Sequence, residues 1–249
     1  MLNILWRNIK WRFQNPLSII VTILQPLIWL VMYSAVAGQA MKKTGIGNYT
    51  AFILPGIVVL VTFSACSSGG IINFIMKSNG SFYRILIAPV KRKDVVLGQM
   101  LEAILVSFIE VTILFVISLL FSVRVGSGFL GVLLIILLIF LTAFFMSGLA
   151  YFISLLLPNE VIYETIMNAI VLPIFFLSTA LFPPESLSGG LAIAVNLNPF
   201  THIINSLRRI ILGGELLIAD ILPVIILFTV MCLGSFMLAM WKLKKETLQ

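Results

Sequence analysis

Besides its cations, five tyrosines and two cysteines, the chain carries only nine Asp and Glu residues and a single histidine as titratable chemistry. Glu102 and Glu110 stand eight residues apart inside one long apolar run, so on a helix they lie close to one face, about 12 Å apart along the axis. Glu160 and Glu164 are four apart in "PNEVIYETIMN", one helical turn, where they make a turn acidic or cap a helix at its N-terminal end. These carboxylates are too few for paired acid–base work. Ser, Asp and His fall in no nucleophilic arrangement, so no catalytic residue is assigned. His202 stands alone and reads as a polar-face residue rather than a pH sensor. Cys66 and Cys232 both lie in apolar stretches without paired spacing or histidine partners, which suits inert buried thiols and no metal site. Gly-x-x-x-x-Gly-Lys-Ser/Thr does not occur, so the chain offers no cradle for nucleotide phosphates. Enzyme chemistry is not expected of it.

The elements that carry these residues are apolar. The chain is 61% hydrophobic and 10% charged, with a mean hydropathy of +1.16, more oil than a water-soluble surface tolerates. A bilayer core takes roughly 20 apolar residues per helix, and six segments qualify, at about 17–37, 51–76, 95–122, 129–157, 161–182 and 219–241. Lipid admits no isolated strand, because its backbone groups would go unbonded. The expected fold is therefore an all-α integral membrane domain over 1–249. The net charge of +7 sits in short loops beside apolar runs, which suits an anionic leaflet and argues against nucleic acid. Most of the sixteen Lys and Arg fall on one side if both termini are cytoplasmic: Arg7, Lys10, Arg12, Lys77, Arg84, Lys91, Arg92, Lys93, Lys242, Lys244 and Lys245. The opening "ILWRNIKWRFQ" mixes Trp with cations as an interfacial helix over 1–16 would, and does not read as a secretory signal.

Within this frame Glu110 is either a lining residue that attracts a cationic substrate or a protonated, hydrogen-bonded packing residue. Gln25 beside Pro26, and Asn168 near Pro173, mark places where helices bend and turn polar groups toward a pathway. Small residues from Ser64 to Gly70 allow close helix packing.

Two stretches break the pattern of spans and loops. In "SNGSFYRILIAPVKRKD" (78–94), Ser78, Asn79 and Ser81 are good helix starters and Pro89 limits the helix to about two turns. Phe82, Ile85 and Leu86 share one face, Tyr83 and Ile87 a neighbouring one. Two turns are unstable in water, so lipid, the protein's own inner surface or another protein must cover them. Asp94 is placed to cap the next helix. The second stretch follows Pro183–Pro184, which should stop the fifth span. Asn198 is a good N-cap, Pro199 suits the first helical position, and Gly213–Gly214 supplies a stop. Between them Phe200, Ile203, Ile204, Leu207, Ile210 and Ile211 repeat at helical spacing, with His202, Asn205 and Arg209 opposite. Residues 183–214 thus predict an outer re-entrant pair, serving either as a lid or as an interfacial anchor.

"SNGSFYRILIAPVKRKDVVLGQML" resembles the first cytoplasmic loop of ABC type-2 permeases, keeping Gly80, Arg84, Leu86, Pro89 and Val90 but carrying Asn79 and Tyr83 in place of acidic residues. "FFLSTALFPPESLSGGLAIAVNLNPFTHIINSLRRIILGG" is similar to the same family's downstream signature. It keeps Phe182–Pro183, Leu187, Asn198–Pro199–Phe200–Thr201, Ile203 and Arg208, and departs at "SGG". The likeness covers essentially the whole chain and is greatest to daunorubicin-resistance and nodulation-type export permeases. It implies six spans, a second permease copy (identical or similar) and two separately encoded ABC ATPase subunits that hold ATP and Mg, this chain binding no cofactor. It implies that Phe82, Tyr83, Arg84, Leu86 and Pro89 form the coupling contact; the acidic turn of Glu160 and Glu164 is a second candidate for touching the ATPase, the alternative being the helix cap. Glu110, Gln25 and Asn168 then border a translocation path, and Asn198, Pro199, Phe200 and Arg208 an outer gate helix. The expected function is export of a hydrophobic or amphipathic small molecule across a bacterial or archaeal cell membrane. The alternatives are export of a lipid-linked polysaccharide, a scaffold or immunity protein that transports nothing, and a secondary transporter, which the lack of a paired charge relay disfavours.

Overall fold

A computed structural model describes residues 5–6, 9–10, 20, 24, 27–32, 35, 49–87, 90–123, 125–181, 183, 188–214 and 218–246, with only the backbone of Leu86 and Ile218. The interfacial helix over 1–16 and the first span over 17–37 lie largely outside the described residues, as do Gln25, Pro89, Phe182 and Leu187.

The described chain holds helices and turns and no strand. In order these are α1 (Tyr49–Ser78), α2 (Ser81–Ile87), α3 (Arg92–Leu120), α4 (Gly128–Leu156), α5 (Glu160–Phe176), α6 (Gly189–Leu197), α7 (Pro199–Ile211) and α8 (Ile218–Glu246). Among the described residues α1, α3, α4 and α8 are long and apolar enough to cross a membrane. Helix α1 is the hub, packed by α3, α4, α5 and α7, while α8 packs most extensively on α4. Almost every face of α1 is therefore buried, which explains its small residues. A Cβ on Gly70 would lie 2.1 Å from the Tyr163 hydroxyl, and one on Gly56 2.6 Å from the Ala180 Cβ. The Tyr163 hydroxyl donates to the Ser67 carbonyl at 2.7 Å, which fixes α5 on α1. Both cysteines do the same kind of work: the Cys66 and Cys232 thiols are buried, stand outside any disulfide and donate to the carbonyls of Ala143 and Leu141.

Three boundaries differ from the sequence expectation. Helix α5 stops at Phe176, short of the expected 182; its 17 residues rise about 25 Å, less than a bilayer core of about 30 Å. The cause lies before the Pro183–Pro184 pair: Pro173 sits in the last turn, and the Asn198 amide donates to the carbonyls of Ile174 and Leu177, both at 2.7 Å, so the end is sealed from outside the helix. Helix α3 begins at Arg92 with Lys91 as N-cap, so Asp94 lies in the first turn and not at the cap. Helix α8 runs on to Glu246, past the expected 241.

The turn between α3 and α4 is tied to the end of α7. The Gly126 amide donates to Ile211 at 3.1 Å and the Ser127 hydroxyl to Ile210 at 2.6 Å. Gly213, at φ +75, approaches so closely that a Cβ on Gly126 would meet its Cα at 2.6 Å. Only glycine fits such a contact.

Candidate functional site

Helix α2 has seven residues, entered through Gly80 at φ +72 with the Ser81 amide bonded to the Asn79 side chain at 3.1 Å. One residue holds it: Phe82 is 2% exposed and belongs to a buried cluster with Met76, Val96, Met100, Tyr151, Ala239 and Leu243. Ile85 packs partly against the same cluster. Burial of one such ring contributes about 2–3 kcal/mol, enough to hold two turns that water would melt. The opposite side is open, with Tyr83 at 60% and Ile87 at 85% exposure and Arg84 exposed between them. Of the five expected contact residues, the structure thus turns Phe82 inward and Tyr83 and Arg84 outward; the side chain of Leu86 and all of Pro89 lie outside the described residues. Val90, Lys91, Arg92 and Lys93 extend the exposed surface.

A second feature is a cavity of about 410 Å³ between α1 and α5, with Trp29 on its rim. Ser64, Ser67 and Ser68 form one wall. Asn168 and Glu164, one turn apart, form the other among Leu172, Phe175 and Phe176. Asn168 and Glu164 thus share one cleft, although sequence reasoning gave them different roles. Glu160 is exposed at the start of α5, where the Asn159 side chain is the actual cap, accepting from the Ile162 amide at 2.9 Å. Glu110 is 1% exposed within α3 and does not line this cleft.

At the far end of the bundle, α7 buries all six apolar residues of its predicted stripe. Phe200 stacks edge-on against Phe63 at 4.7 Å and Phe228 at 5.3 Å. Asn198 caps α7 by accepting from the Phe200 amide at 3.0 Å, while its amide closes α5. Arg208, only 8% exposed, lies over the Phe52 ring at 3.8 Å. It donates to the Phe52 carbonyl at 3.0 Å, to the Asn205 side chain at 3.0 Å and to the Thr179 carbonyl. The guanidinium fork therefore joins α1, the turn after α5 and α7. Arg209 faces outward and pairs with Asp220 at the start of α8.

The sequence model for the ABC-2 type transporter family matches residues 1–212. The chain belongs to that family. Relatives bear it out across most of the length. The "Putative transport permease ycf38" of Cyanophora paradoxa is 26% identical over 78% of this chain and 68% of its own. The "Daunorubicin resistance ABC transporter permease protein DrrB1" of Streptomyces coeruleorubidus is 25% identical over 84% and 74%. "Nodulation protein J" of Rhizobium meliloti (strain 1021) is 25% identical over 85% and 81%. This ABC-2 transporter chain is thus a transport permease and a multi-pass membrane protein.

Sequence reasoning did not place Lys77 beside α2. The Lys77 ammonium lies 5.4 Å from the centre of the Phe82 ring and 6.0 Å from that of Phe74.

Proposed function

We propose that this chain is the membrane-spanning subunit of an ATP-driven exporter, and that α2 is the part a separate ABC ATPase pushes. The observation that carries the reading is the two-sided character of α2. Phe82 keys it into the bundle, while Tyr83, Arg84 and Ile87 stand exposed on a helix too short to exist for its own sake. Tyrosine and arginine are the residues most often found at the centre of contacts between proteins. The sequence provides no phosphate-binding loop of its own, so ATP and Mg belong to the partner, which supplies the hydrolysis.

In this reading two ATPase subunits serve two permease copies, identical or merely similar. The end bearing α2 faces the cytoplasm, since Lys77, Arg84, Lys91, Arg92, Lys93, Lys242, Lys244 and Lys245 gather there. The membrane is a bacterial or archaeal cell membrane. Cargo passes by the cleft between α1 and α5, whose serines, Asn168 and Glu164 give a polar edge to walls of Leu, Val and Phe. That mixture suits a hydrophobic or amphipathic small molecule taken from the cytoplasm or inner leaflet. At the opposite end α6 and α7 form the re-entrant outer gate.

Charge reversal tests this directly. In Arg84→Glu, with the fold intact by thermal unfolding, ATP-dependent efflux from proteoliposomes should fall at least about tenfold, because a repulsive contact opposes docking. Undiminished efflux in both Arg84→Glu and Tyr83→Ala would overturn the assignment of α2.

A further inference from the structure

The cleft between α1 and α5 has two chemically different ends, and the register of the helices puts them there. A Cβ on Gly56 would meet Ala180, just beyond α5, and one on Gly70 would meet Tyr163 near its start. The two helices therefore run in opposite directions. Ser64, Ser67 and Ser68 of α1 stand level with Glu164 and Asn168 of α5, at the end nearer α2. Ile57 and Leu60 stand level with Leu172, Phe175 and Phe176 at the other end. From Glu164 to Phe175, α5 rises about 16 Å. A polar end on an apolar slot fits an amphipathic molecule held in one direction.

The polar end carries charge of one sign. Among the described residues that line the cleft, Glu164 alone bears a charge, and no Lys or Arg is present to neutralise it. No ion pair engages Glu164 among the described residues either. Glu102 and Glu110 are buried within α3 and do not line the cleft. Trp29, Tyr163, Phe175 and Phe176 give the walls aromatic faces, which attract a cation through the ring quadrupole. A carboxylate not spent on an internal cation, at the polar end of such walls, complements an organic cation and repels an organic anion. A zwitterionic phospholipid gains less, because its phosphate would stand against the same carboxylate.

We propose that Glu164 sets the charge preference of the cleft, which takes an amphipathic organic cation. The positive centre sits at Glu164 and Asn168, and the apolar body lies along Leu172, Phe175 and Phe176. The inference rests on reading this cleft as the cargo route and narrows the cargo to cations, but binding can be measured without the ATPase.

Tetraphenylphosphonium and tetraphenylborate are nearly alike in size and shape and opposite in charge. Labelled tetraphenylphosphonium should bind the full chain saturably in dodecyl maltoside. Tetraphenylborate should displace it at least about tenfold less well than the unlabelled cation does. Glu164→Gln should weaken binding of the cation about tenfold, a loss between the values of one charge pair in water and near a protein surface. Glu164→Lys should reverse the order of the two probes, which a merely damaged fold would not do. Glu160→Gln removes an exposed carboxylate one turn away that does not line the cleft, and should change the affinity by less than about twofold. Absence of saturable binding in the parent chain, an unchanged affinity in Glu164→Gln, or an equal loss in Glu160→Gln overturns the proposal. ATP-driven uptake of the cation into inside-out proteoliposomes, with the ATPase present, separates the two readings. If binding follows the charge at position 164 but ATP moves no cation, the cation site stands and the export route through this cleft falls. If ATP-driven uptake is lost in Arg84→Glu yet unchanged in Glu164→Gln, the exporter reading stands and this proposal falls.

Discussion

Two arginines at opposite ends of the bundle show how differently the ends are built. Arg84 stands exposed on α2, whose hold on the protein is one buried aromatic ring. Arg208 is buried on α7, where its fork satisfies the carbonyls of Phe52 and Thr179 and the side chain of Asn205. The first end is fastened by apolar contact and presents polar groups outward. The second is fastened by polar groups turned inward onto backbone carbonyls of α1 and of the turn after α5. An apolar key allows an element to rock, because its attraction has little direction. A set of directed bonds does not. The α2 end can thus pivot on Phe82, whereas α7 can shift only together with α1 and the turn after α5, to which Arg208 ties it.

That contrast can be broken by substitution. Arg208→Ala should be the most damaging, since it leaves buried carbonyls without a donor; unfolding free energy in detergent should drop by about 3 kcal/mol. Arg208→Lys keeps the charge but loses the planar fork, so it should recover only part of that loss. Asn198→Ala removes the cap of α7 and both bonds that close α5, and should cost about 2 kcal/mol by the same measurement. Arg84→Ala should change stability by less than about 0.5 kcal/mol, as an exposed side chain away from buried networks, while still lowering ATP-driven efflux. If Arg84→Ala destabilises as much as Arg208→Ala, the two ends are not different in kind.

The sequence made some of this readable. The stripe from Phe200 to Ile211 follows the helical period, and all six of its residues are buried. The length of α2 follows from its flanks. Its orientation does not, because Phe82 with Ile85 and Tyr83 with Ile87 are both apolar pairs at helical spacing, and only neighbours from α1, α3, α4 and α8 decide which one turns inward. Arg208 is hidden for a similar reason: one of its acceptors is a carbonyl 156 positions away. The end of α5 was misjudged because two prolines signal a stop, yet an asparagine 21 residues beyond Leu177 closes the helix first. Glu164 and Asn168 share the cleft as their one-turn spacing permits. Which helix stands opposite them is tertiary information.

The glycine contact at the α3–α4 turn has a practical side. A short turn such as "VGSG" (125–128) would ordinarily be the first choice for grafting an epitope or a fluorescent reporter. Here Gly126 lies against Gly213, and the amide and hydroxyl beside it are spent on Ile211 and Ile210. Inserted residues would pry the hairpin off α7. Anyone tagging this protein should look elsewhere on the chain.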